Sequence, residues 1–371
     1  MNRELMEDRI MQLLGNNVTP LRPYHIESIN KKKNGNFGFS YLGFMLYANG
    51  RNRKSCNKKY PCGLVYSDGD NIFSMALFRK QTEPEGNYHL HIISPNGQES
   101  IEKAIEIANF IQRVDVFSKS YVYLRHLSEA QYYQALKIGA SDILSAPWHP
   151  DAHSEDETFN HRIIKISDLI ELSGENIFVK TLHDGGSKGF RSKARLAYNR
   201  FLNFLHRNDL TLTFENFCSS THEDQAKELV IRHFSMLSNS IGSTPEDYFN
   251  LIEKFPNVSN NEFIGLIGYL SGKNCSYLPV ALFLGEKIKG DTIGLYATFS
   301  LRDPQILPND IHHQGYTAIS QFIYLNVMKI IKKIGFEYVD LGGSEIERLN
   351  TFKRQLGAKE MKTYWAVKAP N

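Results

Sequence analysis

Residues 335–364 of the 371-residue chain are GFEYVDLGGSEIERLNTFKRQLGAKEMKTY. An amphipathic helix is predicted to end at Gly335, because glycine is favoured just past a helix terminus. The short apolar run Tyr338–Leu341 is typical of a buried strand. The sequence Gly342-Gly343-Ser344 then predicts a turn.

A short helix is predicted after this turn, over Leu349–Ala358. It carries the adjacent pair Phe352 and Lys353, which places a cation beside an aromatic ring. Gly357 is expected to end the helix. The segment therefore has the order strand, glycine turn, short helix with a Phe-Lys pair, and Leu-Gly stop.

The residues before this segment predict a sheet and a long covering helix. Strands are expected at Leu210–Glu215, Glu262–Tyr269, Tyr277–Leu284 and Thr292–Leu301, and helices at His222–Leu237 and Pro245–Lys254. Gly285–Gly290 is predicted to be a hairpin loop. Apolar residues recur with a period of 3.6 over Gly315–Ile334, so we expect this helix to cover the sheet.

A strongly basic segment, Lys188–Arg207, is predicted to be an amphipathic helix. Its apolar face would comprise Ala194, Ala197, Tyr198, Phe201, Phe204 and Leu205. The cations that flank this face are Lys193, Arg200 and Arg207 on one side and Lys188, Arg191 and Arg195 on the other. Such rims suit contact with phosphates of a nucleic acid or a lipid head group, whereas the alternative is a solvated helix face.

The first half of the chain predicts a mostly antiparallel sheet with helices. The expected strands are Phe37–Tyr47, Gly63–Tyr66, Ile72–Phe78 and Tyr121–Leu124, and the expected helices are 99–114 and 128–136. Residues 146–157 have no periodicity and predict a connecting loop. Phe159–Ile166 is predicted to be a strand that either closes the first sheet or crosses to a second domain.

Length and composition indicate a folded protein of two domains, since 371 residues exceed the usual size of a single core. No run of about 18 consecutive apolar residues occurs and the start does not resemble a signal peptide, so we expect a cytoplasmic location. The net charge of +3 is small. Four cysteines without a CxxC pair argue against a disulfide framework or a thiolate metal site.

The strand, glycine turn, Phe352-Lys353 pair and Leu-Gly stop resemble the end of the Fem-type and related N-acyltransferases of the GNAT superfamily. The basic helix is similar to one that leads into the second unit of Fem-type ligases and of the soluble domain of lysyl-phosphatidylglycerol synthases. The resemblance implies an α/β (α+β) fold of two tandem GNAT-like units, each a mixed, mostly antiparallel sheet flanked by helices. We expect domains at 1–170 and 171–371, with the active site in the second.

The segment before the long helix departs from the pattern of acyl-CoA-dependent members. These usually carry a Gln/Arg-x-x-Gly-x-Gly/Ala turn, whose backbone N–H groups hold the pyrophosphate, whereas His312–Ala318 contains one glycine. The resemblance therefore implies aminoacyl-tRNA as the donor and no other cofactor or metal. The acceptor would be an amine or hydroxyl of a small molecule, peptide or lipid.

Two alternatives remain open from the sequence. One is an acyl-CoA-dependent N-acyltransferase with an unusual phosphate loop. The other is a catalytically silent tandem that binds tRNA or an anionic membrane surface through the basic helix.

The resemblance also suggests site residues. Lys353 would hold the donor phosphate or the oxyanion, Asp340 and Glu345 would act as base or recognise the acceptor amine, and Tyr364 would orient the acceptor. Further substrate contacts are expected from Phe352, Gly342, Gly343, Ser344, Arg348 and Asn350. The structural alternatives are that Lys353 lies on the surface, that Asp340 caps the turn, that Glu345 is solvated and that Tyr364 belongs to a core.

Overall fold

The computed structural model describes residues 3–32, 37–48, 63–78, 87–142, 161–174, 176–180, 188–236, 244–256, 262–343 and 347–370. Only the backbone is described at residues 3–4, 47–48, 188–193 and 347.

The described helices are α1 (Arg3–Leu14), α2 (His25–Lys31), α3 (Tyr41–Ala48), α4 (Ser100–Gln112), α5 (Glu129–Lys137), α6 (Ile166–Leu169), α7 (Lys188–Arg207), α8 (Ser219–Ser235), α9 (Glu246–Glu253), α10 (Ile319–Lys333) and α11 (Glu347–Gln355). The described strands are β1 (Val18–Pro20), β2 (Leu64–Asp68), β3 (Asn71–Phe78), β4 (His89–Asn96), β5 (Val122–Leu127), β6 (Ser141–Asp142), β7 (His161–Lys165), β8 (Ile170–Ser173), β9 (Asn176–Val179), β10 (Leu210–Asn216), β11 (Phe263–Gly272), β12 (Cys275–Lys289), β13 (Thr292–Ser300), β14 (Tyr338–Asp340), β15 (Lys359–Met361) and β16 (Tyr364–Lys368).

Two seven-stranded sheets share one plan. The first has the order β1-β2-β3-β4-β5-β16-β6 and the second the order β10-β11-β12-β13-β14-β7-β15. Each contains one parallel pair, β4 with β5 and β13 with β14, and the described strands otherwise pair antiparallel. In each case a helix, α4 or α10, connects the two parallel strands. The predicted fold class, two mixed and mostly antiparallel sheets flanked by helices, is confirmed.

The chain divides into two compact units whose bounds differ from the expected 1–170 and 171–371. The first unit comprises Met1–Thr158, Gly242–Leu251 and Lys362–Asn371, and the second comprises Phe159–Ile241 and Ile252–Met361. Strand pairing gives the reason, because β7 lies between β14 and β15 in the second sheet, whereas β16 pairs with β5 in the first.

Two element predictions were wrong. The segment predicted as a strand over Phe37–Tyr47 contains helix α3. The prediction relied on its aromatic composition, which favours strands. In the structure Ser40 caps a helix by accepting a hydrogen bond from the Gly43 N–H at 2.9 Å. The hairpin loop predicted at Gly285–Gly290 is mostly strand. There, β12 continues through a bulge at Gly285, and the fully buried Glu286 is part of the ladder.

The second unit has its core between its sheet and helices α7 and α10. Most of the predicted apolar stripe of α10 is buried, with Ile319, Ile323 and Val327 wholly inaccessible to solvent, whereas Ile334, just after the helix, is 41% exposed. Burial of one such side chain contributes about 1.5–3 kcal/mol. Helix α7 packs against α10 through Phe201 and Phe322, whose ring centroids are 4.8 Å apart.

Gly315 begins the turn into α10 and allows a close approach of α7. Its φ is +97°, and a Cβ added there would lie 2.7 Å from the Arg200 carbonyl oxygen. Gly335, just after α10, has nearly the same φ of +101°, but an added Cβ would meet nothing within 4 Å. A comparison of alanine substitutions at the two glycines therefore distinguishes the effect of backbone strain from that of steric overlap.

We expect Gly315→Ala to destabilise the second unit more than Gly335→Ala. Both should incur the left-handed backbone penalty of about 1 kcal/mol, and Gly315→Ala should cost about 1–3 kcal/mol more because a helix carbonyl must move. Chemical denaturation of both variants checks this. Equal losses would show that α7 and the turn do not approach as closely as described.

Candidate functional site

The candidate site lies where the parallel strands of the second sheet separate. Pairing between β13 and β14 ends at Gly294 with Asp340, while β13 continues to Ser300. No described strand pairs with this edge of β13 beyond Gly294. Ligands of open sheets commonly bind outside the carboxyl ends of parallel strands. The predicted site residues that follow β14 therefore lie at the edge of the sheet where a ligand is expected to bind.

The glycine turn after β14 is fixed by backbone and side-chain hydrogen bonds. Asp340 Oδ1 accepts a hydrogen bond from the Gly342 N–H at 2.8 Å, and Gly342 has a left-handed φ of +66°. The Arg162 N–H donates to the Gly342 carbonyl at 3.2 Å. Asp340 is only 1% exposed. Its side chain therefore caps the turn, which is the structural role considered for it, and its predicted role as a base remains a prediction.

Lys353 on α11 is buried and reaches back to the same turn. Its ammonium donates to the carbonyls of Leu341 at 2.7 Å and Gly342 at 3.2 Å, and also to that of Gly343. An ammonium has three donors, and the three carbonyls of the turn can accept one hydrogen bond each. The alternative of a surface lysine is wrong, since Lys353 is 5% exposed. The direct contact with a donor phosphate or an oxyanion remains a prediction.

Two residues of β7 complete this network, and sequence reasoning did not identify either. Buried His161 places Nδ1 3.5 Å from Asp340 Oδ2. Arg162 donates from Nε to Asn350 Oδ1 at 2.9 Å and forms an ion pair with Glu360 at 3.3 Å. The available signal was a His-Arg pair directly before the apolar Ile-Ile of a predicted strand.

Among the predicted substrate contacts, Asn350 and Phe352 have internal partners. Asn350 is 4% exposed and accepts the Arg162 hydrogen bond just described. Phe352 is half-buried and packs edge-on against Tyr324, with centroids 5.3 Å apart. Burial raises the pKa of Tyr324 to about 12. The predicted Ser344 and Glu345 lie outside the described residues.

Arg348 is exposed at the start of α11, and its charge acts on another arginine. Partial burial lowers the pKa of Arg302, which follows β13, and the positive charge of Arg348 lowers it further. Both guanidinium groups stay charged in proteins. No carboxylate within the described ranges forms an ion pair with either. Arg302 and Arg348 are therefore the two cations at this edge of the sheet that are best suited to bind an anion.

Tyr364 lies in the first unit, whereas the predicted catalytic residues Asp340 and Lys353 lie in the second. It lies on β16 in the first unit and pairs with Leu127 of β5. Its half-buried ring stacks on Tyr132 at a centroid distance of 5.2 Å. Partial burial and the charge of Glu129 raise its pKa. The core role considered for Tyr364 matches these contacts.

The basic helix predicted at Lys188–Arg207 is α7. Its buried face contains Ala194, Phe201, Phe204 and Leu205, as the spacing predicts. Arg195 and Arg200 are exposed, and Arg207 donates to Gln314 Oε1 at 2.6 Å. The side chains of Lys188, Arg191 and Lys193 lie outside the described part of the structure.

Several backbone amides at the start of α10 donate hydrogen bonds within the protein. The N–H groups of Tyr316, Ala318 and Ile319 donate to the carbonyls of His313, Gly315 and Tyr316. The His312 N–H donates to Asn208 Oδ1 at 2.8 Å, which ties the segment to the end of α7. A pyrophosphate loop needs such amides to point at the ligand, so this geometry differs from that of a phosphate-binding turn.

No protein-family model matches the chain. No curated protein matches it either. Solved structures do resemble it over nearly the whole length.

One such structure is a conserved protein of unknown function from Bacteroides thetaiotaomicron, with 13% identity, a TM-score of 0.57 and coverage of 95% of this chain and 99% of that one. L-PGS from Bacillus licheniformis has 15% identity, a TM-score of 0.53 and coverage of 95% and 93%. FemX has 12% identity, a TM-score of 0.53 and coverage of 95% and 97%. At these identities the likeness shows the fold alone, so the chain has the Fem-like fold of FemX and L-PGS, as the sequence resemblance implied.

Two features are absent from the described residues. They contain no helix whose length and hydropathy would allow it to cross a membrane. Within the same ranges, His, Cys, Asp and Glu side chains form no group of three or more that could hold a metal ion.

We expect Lys353→Met to destabilise the second unit by about 2–4 kcal/mol, because two buried carbonyls and one partly buried carbonyl would lose a charged donor. Chemical denaturation measures this loss, and hydrogen exchange of the Gly342 amide reports on the turn itself. Lys359→Met is the matched control. Lys359 is exposed and forms a surface ion pair with Asp168 at 3.5 Å, and such pairs contribute little to stability. Similar stabilities for both variants would contradict the assigned role of Lys353.

Proposed function

We propose that this chain is an acyltransferase that moves an aminoacyl group from aminoacyl-tRNA to an amine or hydroxyl acceptor. The acceptor would be a small molecule, a peptide or a lipid. Two lines of support are the Fem-like fold over 95% of the chain and the Phe352-Lys353 motif beside the glycine turn. The observation that carries the proposal is the internal bonding of the amides before α10.

This observation favours an aminoacyl-tRNA donor over an acyl-CoA. An acyl-CoA would need a pyrophosphate cradle at the start of α10. Here the amides of Tyr316, Ala318 and Ile319 already donate to carbonyls, and Gly315 fits against Arg200. Rearranging this segment into a pyrophosphate cradle would break these hydrogen bonds and move α7. A donor whose phosphates bind elsewhere needs neither change.

Exposed cations of the second unit support a polyanionic donor. Arg195 and Arg200 are exposed on α7, and the described residues include no carboxylate in an ion pair with either. Arg302 and Arg348 add two positive charges at the carboxyl edge of the parallel strands. Phosphate contacts of this kind supply most of the non-specific affinity of proteins for nucleic acids.

The chemistry is the displacement of an ester. The acceptor nitrogen or oxygen attacks the aminoacyl carbonyl carbon and forms a new bond to it. The ester bond to the tRNA ribose breaks, and the proton that the nucleophile loses ends on the ribose hydroxyl. In this proposal Arg302 and Arg348 neutralise donor phosphates. Lys353 keeps the glycine turn in place, and Glu345 remains a candidate for acceptor recognition.

We expect the purified protein to retain charged tRNA in a gel shift and to give no heat with acetyl-CoA in calorimetry. The double variant Arg195→Ala and Arg200→Ala should bind tRNA about tenfold more weakly, and its salt slope should fall by about 1 for each phosphate that α7 no longer neutralises. Arg232→Ala is the control, because Arg232 is an exposed arginine that pairs with Glu228 at 2.5 Å.

Acetyl-CoA binding without retention of tRNA would overturn the proposal and favour an acyl-CoA donor. Retention of tRNA without transfer to any amine or hydroxyl acceptor would favour a binding module. A double variant that binds tRNA as well as the Arg232→Ala control would remove α7 from the RNA interface.

A further inference from the structure

The proposed transfer needs a group that takes up the proton lost by the acceptor nucleophile. The sequence predicts Asp340 for this role, but its buried carboxylate caps the glycine turn by accepting the Gly342 N–H hydrogen bond at 2.8 Å. The other predicted base, Glu345, lies outside the described residues. A histidine at the same edge of the second sheet has contacts that suit proton transfer.

His233 lies near the end of α8, which packs against β12 and β13. Its Nδ1 is 3.1 Å from the backbone carbonyl oxygen of Ser300, the last residue of β13. Strand β13 is the one whose edge has no described partner strand beyond Gly294. His233 therefore lies at the carboxyl end of β13, in the same unit as Arg302 and Arg348.

The contact with Ser300 determines which nitrogen of the neutral His233 ring carries the hydrogen. A carbonyl oxygen can only accept a hydrogen bond, so Nδ1 must be the donor. In a neutral imidazole the other nitrogen, Nε2, then has a lone pair and no hydrogen. The main chain of β13 thus selects the tautomer in which Nε2 can accept a proton.

Nε2 of His233 is also the ring nitrogen that a ligand can reach. It has no hydrogen-bond partner among the residues that the structure describes, and it is not buried. The side chain as a whole is only partly exposed. One nitrogen therefore holds the ring to the sheet, while the other is open to solvent.

Neighbouring side chains hold the His233 ring in one orientation. Phe299 of β13 packs edge-on against it, with ring centroids 5.1 Å apart. Ser300, whose carbonyl accepts the hydrogen bond, is itself tied to α10, because its hydroxyl lies 2.7 Å from that of Ser320. Both serines are 5% exposed. An imidazole held in this way needs little reorganisation before it accepts a proton.

The surroundings keep the imidazole of His233 uncharged near neutral pH. Burial lowers its pKa, the hydrogen bond to Ser300 partly offsets this effect, and the positive charge of Arg302 lowers the pKa further. Arg232, the preceding residue, forms an ion pair with Glu228. A histidine whose pKa lies below its usual value is neutral at pH 7, which is the state that accepts a proton.

A second histidine of α8 has the opposite arrangement. Nδ1 of His222 accepts a hydrogen bond from the Cys218 N–H at 3.0 Å, so its hydrogen lies on Nε2, which is 3.7 Å from a carboxylate oxygen of Glu215. Both nitrogens of His222 thus have partners within the protein. His233 differs because only the nitrogen that carries the hydrogen has one.

We propose that His233 is the general base of the transfer and that its Nε2 accepts the proton of the acceptor amine or hydroxyl. This inference rests on the proposed function. The acceptor nitrogen or oxygen bonds to the aminoacyl carbonyl carbon as its proton moves to Nε2. The ester bond to the tRNA ribose then breaks, and the imidazolium gives the proton to the ribose oxygen, so the histidine is neutral again.

NMR of the imidazole nitrogens tests the state of the ring without any transfer reaction, and the variants His233→Asn and His222→Asn assign the two signals. Near pH 7 we expect both rings to be neutral, with the hydrogen on Nδ1 of His233 and on Nε2 of His222. Arg302→Met should raise the pH at which His233 becomes charged, because a positive charge that opposes protonation is removed. A charged His233 near pH 7, or one with its hydrogen on Nε2, would overturn the proposal.

Transfer from charged tRNA to ethanolamine, which offers an amine and a hydroxyl, tests the role of His233 directly. His233→Asn keeps a side-chain N–H for the Ser300 carbonyl but has no base, so the single-turnover rate should fall about 100-fold or more while tRNA retention is unchanged. His222→Asn is the matched control on the same helix and should transfer at nearly the parent rate. If His233→Asn does not fold, His233→Gln takes its place.

The outcomes separate this inference from the proposed function. Equal transfer rates in the parent and in His233→Asn would overturn the role of His233 and leave aminoacyl transfer standing. A parent protein that does not retain charged tRNA would overturn the proposed function itself. Where the parent retains tRNA but does not use ethanolamine, the position of the His233 hydrogen decides between a base and a structural residue.

Discussion

A single buried ammonium holds together the edge of the second sheet at which the candidate site lies. Lys353 donates to the last carbonyls after β14, Asp340 caps the same turn from the other side, and β7 adds His161 next to Asp340. The turn therefore has contacts from α11, β14 and β7 at once. Its rigidity positions the exposed groups around it, because a buried, fully bonded lysine has little freedom to move.

The two units apply one topology to different chemistry. In both sheets a parallel pair separates after a few residues, and the chain adopts left-handed backbone at the point of separation, at Gly342 in one and at Ser94 and His126 in the other. A glycine adopts that conformation at little cost, whereas a serine and a histidine need support from their surroundings. The second unit pairs this edge with exposed arginines. The first surrounds it with buried aromatic and polar side chains.

Much of the fold could be predicted from the sequence, because periodic helices such as α7 and α10 and the glycine stops depend on local patterns. The contacts of the candidate site were harder to predict from the sequence. The pattern predicted the turn and the helix that carries Lys353, but it did not show that the ammonium would be used by main-chain carbonyls, since that depends on where α11 packs. His161 and Arg162 were missed because they come from a strand about 180 residues earlier, and α3 was mistaken for a strand because its aromatic residues favour strands.

The exchange of strands between the sheets has a consequence for biosynthesis. Strand β16 pairs between β5 and β6 in the first sheet, yet it is translated after all of the second unit. A nascent chain on the ribosome thus cannot complete its first sheet until the rest has emerged, and the open edge of β5 stays exposed meanwhile. Long-range pairing of this kind slows folding and leaves strand edges prone to aggregation. The protein should therefore depend more on chaperones during synthesis than a chain whose domains close in order.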